Sequence, residues 1–213
     1  MVGNYFSSLG SRENIPLVAA FAVIVSIALT WLSPAEATLG QAVKFVYMHA
    51  ALMWVAFGLL SAGAILGLLF LVLERPSLFA WSYGSTATAV ALLLMTGLLG
   101  SLTAQMTWGG INWSEPRFLM LGEILLAGLA VLAVAGLSSS PTLQSATNIL
   151  FAIVAWGLLL RTELVIHPNS PIFSSDSLAI KIFPLLIAAS LAFAALQAAR
   201  YLAANVAGRA DSL

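Results

Sequence analysis

The sequence VYMHAALMWVAFGLLSAGAILGLLFLVL, residues 46–73, contains no charged side chain and is followed directly by Glu74-Arg75-Pro76. A helix needs about 20 mostly apolar residues to cross the hydrocarbon core of a bilayer. A transmembrane β-strand needs only about 10 residues and alternates apolar with polar side chains. Residues 46–73 are too long and too continuously apolar for such a strand, so they predict a membrane-spanning α-helix.

Five other apolar runs have enough length, or nearly enough, to cross a membrane. With the first stretch they predict six transmembrane helices, at 15–32, 46–73, 85–106, 118–137, 147–160 and 180–204. Nothing in the sequence indicates a second domain. The predicted fold class is therefore an all-α integral membrane protein that forms a single six-transmembrane-helix bundle over residues 15–204. A short polar N-terminus (1–14) precedes the bundle, and a polar C-terminal tail (205–213) follows it.

The composition supports the same class. Of 213 residues, 61% are hydrophobic and only 8% are charged, whereas about 25% of the residues in a typical soluble domain are charged. Eight basic and eight acidic residues give a net charge of zero, so no basic surface for nucleic acid is indicated. The absence of cysteine excludes disulfides, thiolate metal sites and covalent attachment of haem.

The connection between the third and fourth predicted helices has an unusual composition. Residues 107–117, TWGGINWSEPR, contain two of the six tryptophans, two adjacent glycines, a proline and a charge pair. A simple connector needs none of these features. We therefore interpret this segment, called the tryptophan-rich loop below, as the centre of a functional site.

Six consecutive spans predict that the connections after helices 1, 3 and 5 lie on one side of the membrane. The tryptophan-rich loop follows helix 3, His49 lies near the start of helix 2, and His167 lies just after helix 5. Both histidines of the protein are therefore predicted on the same side as the loop. The basic residues divide four and four between the two sides, so the positive-inside rule does not orient the chain.

These residues have the chemistry of a non-covalent haem site. Two neutral imidazoles, those of His49 and His167, can serve as the axial ligands of haem iron. The rings of Trp108 and Trp113 can pack on the flat porphyrin. The guanidinium of Arg117 can pair with a propionate carboxylate, and glycine in the loop lets the backbone approach the ring edge closely.

Structural interpretations of the same residues stay open at this point. An interfacial histidine is more often a hydrogen-bonded structural residue than an iron ligand. Tryptophan is enriched at membrane interfaces in any case, which favours belt or packing roles for Trp31, Trp54, Trp81 and Trp156. Glu123, inside helix 4, is an intramembrane carboxylate and hence a candidate functional group. Its structural interpretation is a pair with Arg117 or a side chain that reaches the interface.

Three segments carry a resemblance to a known family. YMHAALMW (47–54) is similar to the pattern Tyr-x-His-x-x-x-x-Trp, and the tryptophan-rich loop resembles a Trp-Gly loop that ends in acid-x-Arg. HPNSPI (167–172) is similar to His-Gln-x-x-Ser-Ile. These patterns, in this order, are those of the cytochrome c assembly family, the haem-handling membrane proteins of the CcmC type. In the loop, Ile111 and Asn112 stand where the family has further tryptophans, and Glu115 replaces an aspartate.

The resemblance covers about residues 15–204 and implies a site. Haem b would be held non-covalently by His49 and His167 as a bis-histidine pair. The other cofactor-binding residues would be Trp54, Trp108, Gly109, Trp113, Glu115 and Arg117.

The resemblance also implies a function. The protein would be a haem carrier of cytochrome c maturation rather than an enzyme with covalent catalysis. It would present or deliver haem b at the outer membrane face to a haem chaperone or an apocytochrome-assembly protein, with other membrane subunits beside it. The implied location is the bacterial inner membrane, with the haem-side loops facing the periplasm.

Two other functions remain as alternatives. A b-haem electron-transfer or structural subunit of a larger membrane complex would use the same two histidines but keep its haem. A small transporter, or a structural subunit without a cofactor, would use neither. Transporters often contain internal repeats, and we find none in the sequence. The sequence also lacks a P-loop, an H-E-x-x-H motif and a nucleophile elbow, so neither an ATPase nor a hydrolase is indicated.

Overall fold

The computed structural model describes residues 12–163, 172 and 174–210, with side chains up to residue 206. The described chain is all-helical, and its six helices are each long and apolar enough to cross a membrane. They are α1 (Ile15–Leu32), α2 (Val43–Leu73), α3 (Pro76–Trp108), α4 (Pro116–Leu137), α5 (Pro141–Arg161) and α6 (Leu178–Ala210). The predicted class, an all-α integral membrane protein with six transmembrane helices, is confirmed.

Most of the helices extend beyond the predicted spans. Helix α1 has the predicted bounds, but α3 begins at Pro76 instead of residue 85, and α5 begins at Pro141 instead of residue 147. Proline suits the first helical position, because the N–H it lacks would have no partner there. Hydropathy detects only the apolar part of a helix. Helix α6 likewise continues beyond its predicted end at residue 204 to Ala210, so most of the predicted polar tail is helical.

Helices α2 and α3 form an antiparallel pair at the centre of the bundle. A Cβ atom on Gly63 would lie 2.6 Å from Thr86 Oγ1, and one on Gly67 would lie 3.0 Å from Ser82 Oγ. The Ser82 hydroxyl donates a hydrogen bond to the Gly63 carbonyl oxygen at 2.8 Å. Helix association in lipid depends on such close packing and interhelical hydrogen bonds. The small residues of α2 therefore determine how closely α3 approaches.

Helices α4 and α5 pack on one side of this pair. Asn148 of α5 donates from Nδ2 to Ser82 Oγ at 3.0 Å, and both side chains are buried. Gly128 of α4 lies against Phe151 of α5 and Val90 of α3. These contacts belong to an apolar core between the four helices, whose fully buried members include Leu60, Leu93 and Ile124.

Helices α6 and α1 pack on the other side. Gly84 of α3 lies so close to α6 that an added Cβ atom would overlap the Ala199 carbonyl oxygen. Ser190 of α6 donates a hydrogen bond to the Ala22 carbonyl oxygen of α1 at 2.9 Å. A second apolar core lies between the start of α2 and α6, and it includes Ile172. Helix α1 is thus a peripheral helix that is held mainly by α6.

Consecutive helices run in opposite directions. His49 of α2 faces Gly100 of α3, whereas Gly63, later in α2, faces Thr86, earlier in α3. The C-terminal ends of α1, α3 and α5 therefore lie beside the N-terminal ends of α2, α4 and α6, at an end of the bundle that we call the loop face. The connections at the opposite end are short, at 74–75 and 138–140. The tryptophan-rich loop lies at the loop face and His49 lies in the half of the bundle next to it, the same side as predicted, whereas His167 lies outside the described residues.

The contact between α3 and α6 can be tested at Gly84. Gly84→Ala is expected to lower the free energy of unfolding by about 1–3 kcal/mol, because the added methyl group meets backbone that cannot rotate away. Equilibrium unfolding in mixed detergent micelles measures the change. Gly58→Ala is the matched control, since no atom of another helix lies within 4 Å of its Cβ position, and it should raise stability by up to about 1 kcal/mol, the gain in helix propensity. Equal effects of the two substitutions would contradict the packing described here.

Candidate functional site

The tryptophan-rich loop is an ordered turn between α3 and α4. Trp108 is the last residue of α3, and Gly109 ends the helix in the left-handed conformation with φ 74°, which glycine adopts without steric cost. Asn112 then forms a turn, because its side-chain oxygen accepts the Ser114 N–H at 3.1 Å and its carbonyl accepts the Glu115 N–H at 3.1 Å. Only residues 109–115 of the predicted loop therefore lie outside the helices.

Glu115 caps the N-terminus of α4. Its side-chain oxygen Oε2 accepts the backbone N–H groups of Arg117 at 2.7 Å and Phe118 at 3.1 Å. The residue is 1% exposed. A carboxylate in this position satisfies helical N–H groups and interacts favourably with the positive end of the helix dipole. Glu115 therefore fixes the start of α4 and, with it, the position of Arg117.

The side chain of Arg117 is half-buried. Its Nε atom is buried and has no hydrogen-bond partner among the described residues. A buried donor without an acceptor is unfavourable by about 1–3 kcal/mol, so such groups normally have a partner. The residue as a whole remains partly exposed at the start of α4.

The two tryptophans of the loop keep exposed ring surface. Trp113 is 68% exposed and contacts Phe118 of α4 edge to face, with 6.2 Å between the ring centroids. Trp108 is 37% exposed. Exposed aromatic faces at the end of a bundle can pack against a flat apolar ligand. They also suit the headgroup region of a membrane.

His49 has a defined partner on α3. Its Nδ1 atom lies 3.1 Å from the carbonyl oxygen of Thr96. A carbonyl oxygen can only accept, so Nδ1 must carry the proton. In the neutral imidazole the lone pair is then on Nε2, the nitrogen that a metal ion would bind. The ring packs on Gly100, whose Cβ position would be 2.9 Å from His49 Cε1.

The depth of His49 relative to the loop follows from α3. Gly100 precedes Trp108 by eight residues, which corresponds to about 12 Å along a helix axis. His49 therefore lies about two helical turns inward from the loop. A group bound at His49 must extend along the helix axis to reach the tryptophans or Arg117.

Trp54 lies on a different face of α2 from His49. Trp54 follows His49 by five residues, about 140° further around α2, and lies at an apolar groove of 480 Å³ between α2 and α6. The groove is lined by Trp54, Val55, Gly58, Leu59, Ala188, Ala189, Ala192 and Leu196.

Two residues of the His49 site, Thr96 and Gly100, were missed in the sequence analysis. Their spacing could have indicated that they belong together, because a hydroxyl residue and a glycine four positions apart on α3 share one helix face. No group of three or more His, Cys, Asp or Glu side chains that could hold a metal ion occurs among the described residues.

Two other polar residues have structural partners. Glu123 pairs with Arg161 at 3.3 Å, so the pairing with Arg117 considered in the sequence analysis is wrong. The two side chains meet because α4 and α5 pack side by side. Trp156 donates from Nε1 to Ser61 Oγ at 3.0 Å, in agreement with the packing role predicted for it.

No family model matches the chain, and no curated protein matches it.

The cap of α4 can be tested at Glu115. Glu115→Ala is expected to lower the free energy of unfolding by about 1–2 kcal/mol, because two helical N–H groups lose their acceptor. Glu115→Gln keeps an acceptor oxygen and should retain most of the stability. Chemical unfolding in micelles, followed by tryptophan fluorescence, compares the two variants. If Ala and Gln at this position behaved identically, the capping role would be contradicted.

The α1–α2 connection, also at the loop face, contains a titratable turn. Glu36 Oε2 accepts the N–H groups of Thr38 at 2.8 Å and Leu39 at 2.9 Å. The hydrogen bond from Leu39 is the main cause that lowers the pKa of Glu36 from its ordinary value of 4.5. A lowered pKa means that folding favours the carboxylate, so the stabilisation is present above pH 4.5 and is lost as the pH falls through the lower folded value.

Glu36 is accordingly expected to titrate below 4.5, the ordinary value, and carboxyl ¹³C NMR measures this directly. The amide resonances of Thr38 and Leu39 should shift with the same midpoint. In Glu36→Gln they should become independent of pH over that range. A Glu36 midpoint at or above the ordinary value would contradict the turn.

Proposed function

We propose that the protein binds haem b without a covalent bond at the loop face, with His49 and His167 as the axial iron ligands. Its function would be to present or deliver that haem during cytochrome c maturation. The observation that carries the proposal is the hydrogen bond between His49 Nδ1 and the Thr96 carbonyl oxygen. His167 enters the proposal from the sequence.

The geometry of His49 fits an iron ligand. Histidines that bind metals usually donate their second ring N–H to a carbonyl or a carboxylate, which fixes the tautomer and raises the basicity of the ligating nitrogen. His49 meets this requirement through the Thr96 carbonyl. Haem bound there would supply the iron and its redox chemistry, and the chain would hold and orient it.

The tryptophan-rich loop offers groups that match the rest of a haem. Arg117 lies in the first turn of α4 at the loop face and is partly exposed, and a guanidinium can pair with a propionate carboxylate. Trp108 and Trp113 offer ring faces to an apolar macrocycle. A ligand that contacts both His49 and Trp108 has to span about 12 Å along α3, and haem combines an apolar body with two propionates at one edge.

The exposed rings favour delivery over storage. Trp113, at 68% exposure, would leave one side of the loop accessible to a second protein. On the basis of the family resemblance we propose a haem chaperone or an apocytochrome-assembly protein as that partner. The proposed location on the same basis is the bacterial inner membrane, with the loop face toward the periplasm.

A retained haem is the second candidate function. His49 lies inside α2 and not in a loop, and its ring is held by α3. A ligand held in this way suits a b-haem electron-transfer subunit of a larger complex. Both candidates share the two histidines, so haem transfer distinguishes between them.

The proposal is tested by the absorption spectrum of the purified protein supplied with haem. We expect a Soret band with sharp α and β bands in the reduced state, weakened by His49→Ala and by His167→Ala, because each substitution removes one iron ligand. Transfer of the haem to an apo-acceptor would favour delivery, and retention would favour the electron-transfer subunit. A protein that binds no haem, or whose spectrum is the same after both substitutions, would contradict both functions.

Arginine variants extend the same experiment. Arg117→Ala should weaken haem affinity about tenfold, the effect of losing roughly 1.4 kcal/mol of binding energy. Arg161→Ala is the matched control, since Arg161 also lies at the loop face but pairs with Glu123. Its haem affinity should equal that of the unsubstituted protein. Equal losses in the two variants would contradict the role of Arg117.

A further inference from the structure

We infer that Gly100, together with the Thr96 carbonyl group, positions the His49 imidazole so that Nε2 is directed away from α3. Gly100 and Thr96 would thus act on the proposed haem site through the ligand, without touching the haem. The inference rests on the proposed function for its biological meaning, but the positioning of His49 can be measured without haem.

The first step is the contact between the imidazole and Gly100. A Cβ atom at residue 100 would lie 2.9 Å from Cε1, 3.1 Å from Nδ1 and 3.8 Å from Nε2 of His49. The Cε1–Nδ1 edge of the ring therefore rests on the bare backbone of α3, and Nε2 is the most distant of the three atoms. Any side chain at residue 100 would displace the ring.

The second step explains why glycine stands at this particular position. In an α-helix the carbonyl of residue 96 accepts the N–H of residue 100, so the residue four positions later flanks that oxygen. A carbonyl oxygen has two lone pairs, and a glycine at position 100 leaves the second one accessible to a group from another helix. Gly100 therefore gives His49 Nδ1 access to the Thr96 carbonyl oxygen.

The third step concerns competition for that oxygen. The Thr96 hydroxyl donates to the Leu92 carbonyl at 2.8 Å, so it does not occupy its own carbonyl group. Thr96 is 1% exposed, and a hydrogen bond that is shielded from water on one side is stronger than one in water. The imidazole thus has one favoured orientation and one favoured tautomer.

Helix α3 offers a matched control. Gly97 is one helical turn away, and its Cβ position meets only Leu121 at 3.5 Å and Leu125 at 3.8 Å, which are ordinary contacts. Gly97→Ala and Gly100→Ala add the same methyl group to the same helix. Only the second substitution should affect His49.

The first test uses the protein without haem. The chain has two histidines, so in a His167→Ala background the imidazole ¹⁵N NMR signals belong to His49 alone. We expect the Nδ1–H tautomer in this background, in Gly97→Ala and in Thr96→Val, which keeps the carbonyl group. In Gly100→Ala the imidazole should populate both the Nδ1–H and the Nε2–H tautomer. An Nε2–H tautomer in the background protein, or an unchanged signal in Gly100→Ala, would overturn the inference.

The second test uses the haem-loaded protein with both histidines present. Loss of a group that orients a metal ligand typically weakens metal binding about 10- to 100-fold, so Gly100→Ala should lower haem affinity by that factor relative to Gly97→Ala. Equal affinities of the two variants would overturn the inference. If the unsubstituted protein binds no haem while the NMR result holds, the proposed function fails and the positioning of His49 stands.

A third variant covers the case in which Gly100→Ala does not fold. The double substitution His49→Ala/Gly100→Ala removes the ring that the new methyl group would meet. Restored folding in the double variant would support the contact between His49 and Gly100. Failure of the double variant, with His49→Ala folding normally, would overturn it.

Discussion

The close approach of α2 and α3 is the contact on which the rest of the bundle depends. In lipid, apolar side chains gain little by leaving their surroundings, so helices associate through close packing and hydrogen bonds between them. Gly63 and Gly67 allow this approach on α2, and Gly100 of α3 leaves room for the His49 ring. Ser82 then joins the pair to α5, because its hydroxyl donates to the Gly63 carbonyl and accepts from Asn148. The remaining helices pack on the two sides of this pair.

The same contact connects the interior of the bundle to the loop face. The α2–α3 register that brings Gly63 to Thr86 at one level also brings His49 to Gly100 at the other. Helix α3 then continues to Trp108 and leads directly into the tryptophan-rich loop. One helix therefore carries both the partner of the proposed iron ligand and the start of the aromatic loop. A shift of α3 would therefore move both parts of the proposed site together.

Electrostatics at the start of α4 complement this arrangement. A buried carboxylate is tolerated at Glu115 because two helical N–H groups satisfy it, and the turn of Asn112 prepares the chain for that cap. Arg117 follows within the first turn of the helix, and its buried Nε atom has no acceptor in the described part of the chain. The cap thereby fixes the position of Arg117 at the start of α4, at the loop face.

The sequence by itself determined the six spans and that His49 and the loop lie toward the same end of the bundle, because a helix in lipid must be apolar over a length that the bilayer sets. It did not determine helix ends such as Pro76, because hydropathy detects only the most apolar part of a helix. Only the tertiary structure decided that His49 meets Gly100 and that Glu123 pairs with Arg161. Such contacts depend on how each helix is rotated about its axis and shifted along its neighbour, and apolar patterning in lipid leaves both nearly unspecified.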